Sequence, residues 1–256
     1  MRKPLILISN DDGVNSKGIK ALVEAAKDFG DIVVVAPCSH RSGMSHAITI
    51  SDPLTLTKVE MANCLAAYKC SGTPVDSVKM AINKVLDCTP DLVLSGINHG
   101  SNASISSIYS GTVAVAVEAA LMNIPAISFS LLDFDPDANF EASVFYARKI
   151  IADVLKVKFP DNTCLNVNIP NVKLEEIKGI KVCTHTKGYW KEEFLERKDP
   201  FDRTYYWLYG SFISNDKQCF DNDSFVLSQN YISVVPLKTD FSNPELINHF
   251  KIIENE

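Results

Sequence analysis

No Cys-x-x-Cys pair occurs in this chain, although it holds seven cysteines, Cys38, Cys64, Cys70, Cys88, Cys164, Cys183 and Cys219. An odd, unpatterned set of thiols points away from a disulfide framework and toward free cysteines in a reducing cytoplasm, most of them acting as small buried hydrophobes. Basic residues are also in short supply, 25 Lys and Arg against 31 Asp and Glu, for a formal net charge of −6. That balance excludes a general binder of nucleic-acid polymers, while a metal or a few local cations can still admit a small anion to a cleft. The apolar stretch after Met1-Arg2-Lys3-Pro4 ends by Asn10. It is too short for a signal peptide and far too short to span a bilayer, so neither export nor a membrane is expected. Glycine (11) and proline (12) are sparse and no repeat or low-complexity segment is visible, which removes fibrous and disordered classes. Neither a Walker A loop nor a G-x-G-x-x-G fingerprint is present, so nucleoside triphosphatase and dinucleotide readings lose support.

What is present is βαβ grammar within 256 residues, enough for one α/β domain or a domain with a smaller appendage. Residues 4 to 9, "PLILIS", form a continuous apolar run, as expected of a strand covered on both faces. Residues 18 to 29 place Ile19, Leu22, Val23, Ala26 and Phe29 at helical spacing, and "DIVVVAP" at 31 to 37 is a second strand. The pattern recurs: a helix over 75 to 86, a strand at 91 to 96, an Ala-rich helix over 112 to 122, a strand at 124 to 130 and a helix over 137 to 156. After about residue 160 the runs become short and β-branched or alternating, which predicts strands with hairpins around 185 to 230. The division expected is an α/β core over 1–160 carrying the site. Residues 161–256 then continue the core sheet with a β-rich, oligomerising extension and a tail. Tyr205, Tyr206 and Trp207 are assigned to the core.

Polar clusters follow the strands: "SNDDG" the first, "CSHRSGMSH" the second and "SGINHGSN" a later one. In open parallel sheets ligands bind beyond the carboxyl ends of strands, so all three can build one site. Asp11 and Asp12 offer adjacent hard oxygens that would repel each other without a cation between them, a donor type suited to magnesium, manganese or calcium. Ser42 can add a hydroxyl ligand, and Asn98 a neutral carbonyl oxygen that Asn-Gly turn chemistry does not explain. His46 can handle protons. Ser110, Gly111 and Thr112 precede a helix whose first N–H groups would point at the site, a competent phosphate cradle as well as an ordinary N-cap.

Taken in order, "ILISNDDGVNSKGIKAL", "VVVAPCSHRSGMSHAITI", "GTPVDSVKMA", "DLVLSGINHGSN" and "YSGTVAVAVEAALMNIPAISFS" resemble the SurE family of metal-dependent 5′-nucleotidases. So do "LNVNIP", "ERKDPFDRTYYWLYG" and "YISVVPLKTDF" further on, and the likeness runs from about residue 5 to 241. The resemblance implies a Rossmann-like three-layer α/β core with a mostly parallel sheet and a β-rich C-terminal extension. It also implies hydrolysis of nucleoside 5′-monophosphates, with short polyphosphate as a further substrate, and one divalent ion per subunit, manganese or magnesium. The family's ligands fall on Asp11, Asp12, Ser42 and Asn98, and its phosphate-side elements on Asn102, Ser110, Gly111 and Thr112. Asn10, Gly43 and His46 complete the expected substrate contacts, with Asp11, Asp12 and Ser110 as catalytic groups. A cytoplasmic homodimer or homotetramer is expected. Cys38, where the family has an acid, and residues 103–107, where it has an acidic segment, are departures that bear on substrate preference. Two alternatives stand beside this reading. One is an aspartyl-phosphate phosphatase of the haloacid-dehalogenase type, which spaces its aspartates by one residue where these are adjacent. The other is a nucleotide-sensing protein without turnover.

Overall fold

The computed structural model describes residues 2–216 and 219–254. In chain order the elements are β1 (Leu5–Ser9), α1 (Lys17–Ala26), β2 (Asp31–Pro37), β3 (Leu56–Val59), β4 (Ala66–Cys70), α2 (Pro74–Met80) and β5 (Leu92–His99). Then follow α3 (Ser106–Tyr109), α4 (Gly111–Leu121), β6 (Ala126–Leu131), α5 (Glu141–Val154), β7 (Thr163–Ile169) and β8 (Gly179–Val182). The chain continues with β9 (Gly188–Lys198), β10 (Thr204–Ser214), α6 (Asp223–Ser228), β11 (Tyr231–Lys238) and α7 (Ile247–Phe250).

Nine strands form one sheet in the order β3-β4-β2-β1-β5-β6-β7-β11-β8. From β4 through β7 every neighbour is parallel; β3 on β4 and β11 on β7 are antiparallel, and β8 rejoins β11 in parallel. The central strands are buried on both faces, which is why they read as unbroken apolar runs. Alternation along β1 sends Ile6 and Ile8 into the core shared with α1 and α5, and Leu7 into the one shared with α2 and α4. β2 divides in the same way, Ile32, Val34 and Ala36 to one layer and Val33 and Val35 to the other. Each of the buried Val, Leu and Ile side chains contributes about 1.5–3 kcal/mol of transfer free energy. The result is the helix–sheet–helix arrangement anticipated from the sequence, with β7, β11 and β8 extending the same sheet.

Two helices are shorter than their apolar spacing suggests. The run expected over 75 to 86 is α-helical only to Met80, and Ala81–Val85 continue as a π-helix closed by Leu86 N–H donating to the Ala81 carbonyl. Residues 137 to 140 lie ahead of α5, because Asp133, Asp135 and Asn139 each accept from the backbone N–H two residues on, a turn that competes with helix. β9 and β10 pair with each other alone, as an antiparallel hairpin outside the large sheet. On it Tyr205, Tyr206 and Trp207 are exposed, correcting their assignment to the core. A strand pair of this length has no second layer of its own to bury them.

Candidate active site

β2, β1 and β5 are adjacent and parallel, so the loops after Pro37, Ser9 and His99 leave the sheet at one edge. Backbone bonds then knit these loops together. Arg41 N–H donates to the Asp11 carbonyl at 2.7 Å and Val14 N–H to the Pro37 carbonyl at 3.0 Å. Ser45 reaches forward to the segment before α4, its N–H on the Tyr109 carbonyl at 3.1 Å and its Oγ donating to the Ile108 carbonyl at 2.6 Å. Between them lies a cleft of about 520 Å³, lined by Asp11, Ser42, Gly43, Asn98, Asn102 and Ser110 among others.

Asp11 is 3% exposed, and Thr112 Oγ1 donates to its Oδ1. Burial pushes the carboxyl up to about 6 against the lowering effect of the Thr112 hydroxyl, and the charge of Asp12 adds to the rise. Gly111 permits this closeness: a Cβ there would stand 2.9 Å from the Asp11 Cβ. The Asp12 side chain is held from two sides, with His40 Nδ1 at 3.1 Å from Oδ1 and His99 N–H donating to Oδ2 at 3.5 Å. Asn98 is presented by a bulge in β5, whose register with β6 shifts between Ser95 and Asn98. The bulge turns on Gly96, with φ of +119°, where a Cβ would meet the Phe129 carbonyl oxygen at 2.3 Å. Both Nδ2 protons of Asn98 go to backbone carbonyls, of Gly100 at 2.9 Å and His99 at 3.2 Å, which leaves Oδ1 as the donor atom toward the cleft.

No three His, Cys, Asp or Glu side chains converge among the described residues, so a cation here has to draw on neutral oxygens as well. Two adjacent carboxylates with Asn98 Oδ1 and the Ser42 hydroxyl are such a set, all hard oxygens, and the cost of burying Asp11 charged is what a divalent ion would offset. The residues present fit a hard divalent cation.

Other predicted residues also hold the structure around the cleft. Asn10 is fully buried and holds the loop, donating to the Gly13 carbonyl at 3.1 Å and Ser16 Oγ at 2.8 Å while accepting from Gly13 N–H. Thr112 positions Asp11. His46 pairs through Nε2 with Glu118 at 2.8 Å and faces a neighbouring cavity instead. That imidazole, followed by Lys79, holds the Glu118 carboxyl below its usual range against burial. Asn102 lines the cleft but is anchored from behind, its Nδ2 on Ser130 Oγ at 2.9 Å and its N–H on Asn168 Oδ1 at 2.8 Å. Ser110 caps α4, Oγ accepting from Val113 N–H at 3.0 Å. Sequence reasoning passed over His40, although it stands in the quoted histidine cluster, and over Phe134, Trp190, Leu208 and Tyr209, which complete the cleft from distant segments.

Comparison with known proteins agrees with this architecture. The family model described as survival protein SurE matches residues 6–192. A protein of Flavobacterium psychrophilum named 5′-nucleotidase SurE is 50% identical over 243 residues, 94% of either chain. One of the same name from Cytophaga hutchinsonii is 47% identical over 248 residues, covering 96% of this chain and 95% of its own. The crystal structure of SurE from Aquifex aeolicus superposes with a TM-score of 0.85 at 38% identity, covering 98% of this chain and all of that one. Matched over most of its length in sequence and nearly all of it in fold, the chain belongs to the SurE family.

Proposed function

We propose that this protein is a 5′-nucleotidase that hydrolyses nucleoside 5′-monophosphates in the cleft at the ends of β1, β2 and β5, and short polyphosphate as a further substrate. The observation that carries the reading is the buried Asp11 beside Asp12, ringed by neutral oxygen donors. Asp11, Asp12, Ser42 and Asn98 are the ligands of one divalent ion per subunit, manganese or magnesium. Bound there, the ion supplies positive charge against the phosphate and acidifies water held next to it. Thr112 Oγ1 donates to Asp11 Oδ1, which leaves Oδ2 free to face the ion; the same carboxylate would orient the attacking water and accept its proton. Ser110 Oγ accepts from Val113, which leaves its own proton for a phosphoryl oxygen. The first N–H groups of α4, at Gly111 and Thr112, have no carbonyl a turn behind them and add fixed positive ends beside it. Gly43 keeps that approach open, with no atom within 4 Å of where its Cβ would stand. Asn102 shapes the wall, and Asn10 and His46 act through the loops they hold.

We also place the protein in the cytoplasm as a homodimer or homotetramer, assembled through residues after 160. All seven thiols are unpaired, and no helix among the described residues is long and apolar enough to cross a membrane. The test is phosphate release from a panel of nucleoside monophosphates, with EDTA and with manganese or magnesium restored, for the wild type and Asp11→Asn. The expected result is metal-dependent release that the substitution lowers at least a hundredfold. A folded, metal-loaded wild type that releases nothing would overturn the reading, and a trapped phosphoaspartate would overturn its water mechanism.

A further inference from the structure

α4 is built almost wholly of small and apolar residues, and Glu118 is its one charged side chain, 5% exposed. A buried carboxylate is costly unless it is paired, and this one is paired twice. Lys79, in the last turn of α2, reaches Oε1, and His46 meets Oε2 at 2.8 Å. An ionised carboxylate only accepts, so the proton of that bond sits on His46 Nε2.

His46 stands four residues after Ser42, in a stretch over 38–50 that has no helix or strand of its own. The stretch takes its shape from what it touches. Ser45 donates to the carbonyls of Ile108 and Tyr109, just ahead of α4. Thr73, the cap of α2, donates to the Ala47 carbonyl at 2.7 Å, and Thr49 Oγ1 donates to Asp76 Oδ2 at 2.6 Å. Glu118 joins these two sets of contacts, because from the body of α4 it holds α2 through Lys79 and the stretch through His46. The same helix begins at the cleft, where Ser110 caps it and Thr112 Oγ1 donates to Asp11. Gly111 and Glu118 are separated by about 10 Å of continuous helix.

We infer that Glu118 is a positioning residue for the hydrolysis: through His46 its carboxylate fixes Ser42, at the metal, relative to the start of α4, at the phosphoryl group. The inference rests on the nucleotidase reading above. Glu118 touches neither ion nor substrate, and its influence passes through the place where Ser42 stands. Its loss is therefore read in metal affinity and in kcat, while KM for the nucleotide changes little because the cradle at Ser110 stays built.

The test measures manganese affinity by calorimetry, and kcat and KM for adenosine 5′-monophosphate at saturating manganese. Glu118→Ala and His46→Ala should each weaken manganese about tenfold and lower kcat by a similar factor, as removal of a supporting hydrogen bond behind a metal ligand does. Combined, they should cost no more than either alone, since both delete one contact. Glu118→Gln keeps an acceptor for His46 and should recover most of both quantities. Lys79→Ala removes the other partner of Glu118 and should shift manganese affinity by no more than about threefold, the range of a half-exposed ion pair. Should Glu118→Ala fail to fold, His46→Ala, Glu118→Gln and Lys79→Ala carry the same comparison. Additive single effects, or a loss with Lys79→Ala as large as with His46→Ala, would overturn the inference, and so would a Glu118→Ala protein that binds manganese and turns over as the wild type does. Glu118 would then be a buried ion pair that serves folding alone. A wild type that neither binds manganese nor releases phosphate overturns the nucleotidase reading and the inference together, whereas a competent wild type matched by its variants overturns the inference only.

Discussion

At the scale of single residues, the raised Asp11 carboxyl would, at the metal site proposed above, set a proton against a cation. Its folded value of about 6 exceeds the ordinary 3.8, so in the metal-free protein it favours folding below pH 4 and loses that contribution as pH rises through 6. Cation binding needs the carboxylate and runs in the opposite sense, weakening about tenfold per pH unit below 6. Manganese should therefore raise the melting temperature strongly at pH 7.5 and much less at pH 5; equal increments at both would remove Asp11 from the ligand set. Thr112→Val deletes the hydroxyl that lowers this carboxyl. The acid limb of kcat/KM should move to higher pH and the plateau fall about tenfold, near the strength of one charge-assisted hydrogen bond. An unshifted limb would mean that Thr112 serves only packing. That Asp11, Ser42, Asn98 and Ser110 share one cleft was legible in the sequence because each sits in a polar cluster directly after a strand, or before a helix, where local rules apply. Trp190 was not, because its place in the cleft depends on a contact with Ser106 across 84 residues, which no local pattern encodes.

At the scale of elements, the buried Asp223 at the start of α6 ties the wall of the cleft to the base of the hairpin. Its Oδ2 accepts from Ser104 N–H at 2.7 Å, and its Oδ1 from Thr186 N–H at 2.9 Å and Thr186 Oγ1 at 2.7 Å. Ser104 Oγ closes the ring by donating to the Thr186 carbonyl at 2.6 Å. Asp223→Ala would strand several buried donors, at about 1–3 kcal/mol each where water cannot replace the acceptor. A loss of about 3 kcal/mol in urea unfolding is expected, with KM for mononucleotides raised because residues 101–107 and Trp190 lose their common anchor. A loss under 1 kcal/mol would show that water fills the gap. The central strands of the large sheet were readable because burial on both faces leaves a continuous apolar signature, and β2 runs over the residues its sequence suggests. The π-helical end of α2 and the late start of α5 were not, since apolar spacing reports which face is buried and is silent on which hydrogen-bond ladder closes the turn. β3 and β4 were likewise missed, being short and partly exposed at the sheet's edge, where alternation is weak.

At the scale of the whole molecule, the exposed apolar side chains bear on the assembly proposed above. On the hairpin face away from Trp190, Leu195 and Trp207 are in register across the ladder, and Trp207 is 63% exposed. Tyr205 and Ile213 continue that face, and Phe241, Ile252 and Ile253 stand exposed in the tail. Contiguous apolar patches are rare on monomeric proteins, and a stable interface needs about 1,200–2,000 Å² in total. A hairpin projecting from the sheet, with aromatics on both faces, can give one face to its own cleft and the other to a neighbour. Light scattering should therefore find a particle of two or four 28.3 kDa chains. Leu195→Ser with Trp207→Ser should lower its mass or raise its dissociation constant at least tenfold, since a central aromatic anchor usually carries more than 1 kcal/mol. If assembly and substrate binding share the hairpin, dilution below the dissociation constant should raise KM for mononucleotides more than it lowers kcat. A wild-type monomer at micromolar concentration would refute the assembly outright, and unchanged mass in the double variant would move the interface to the tail.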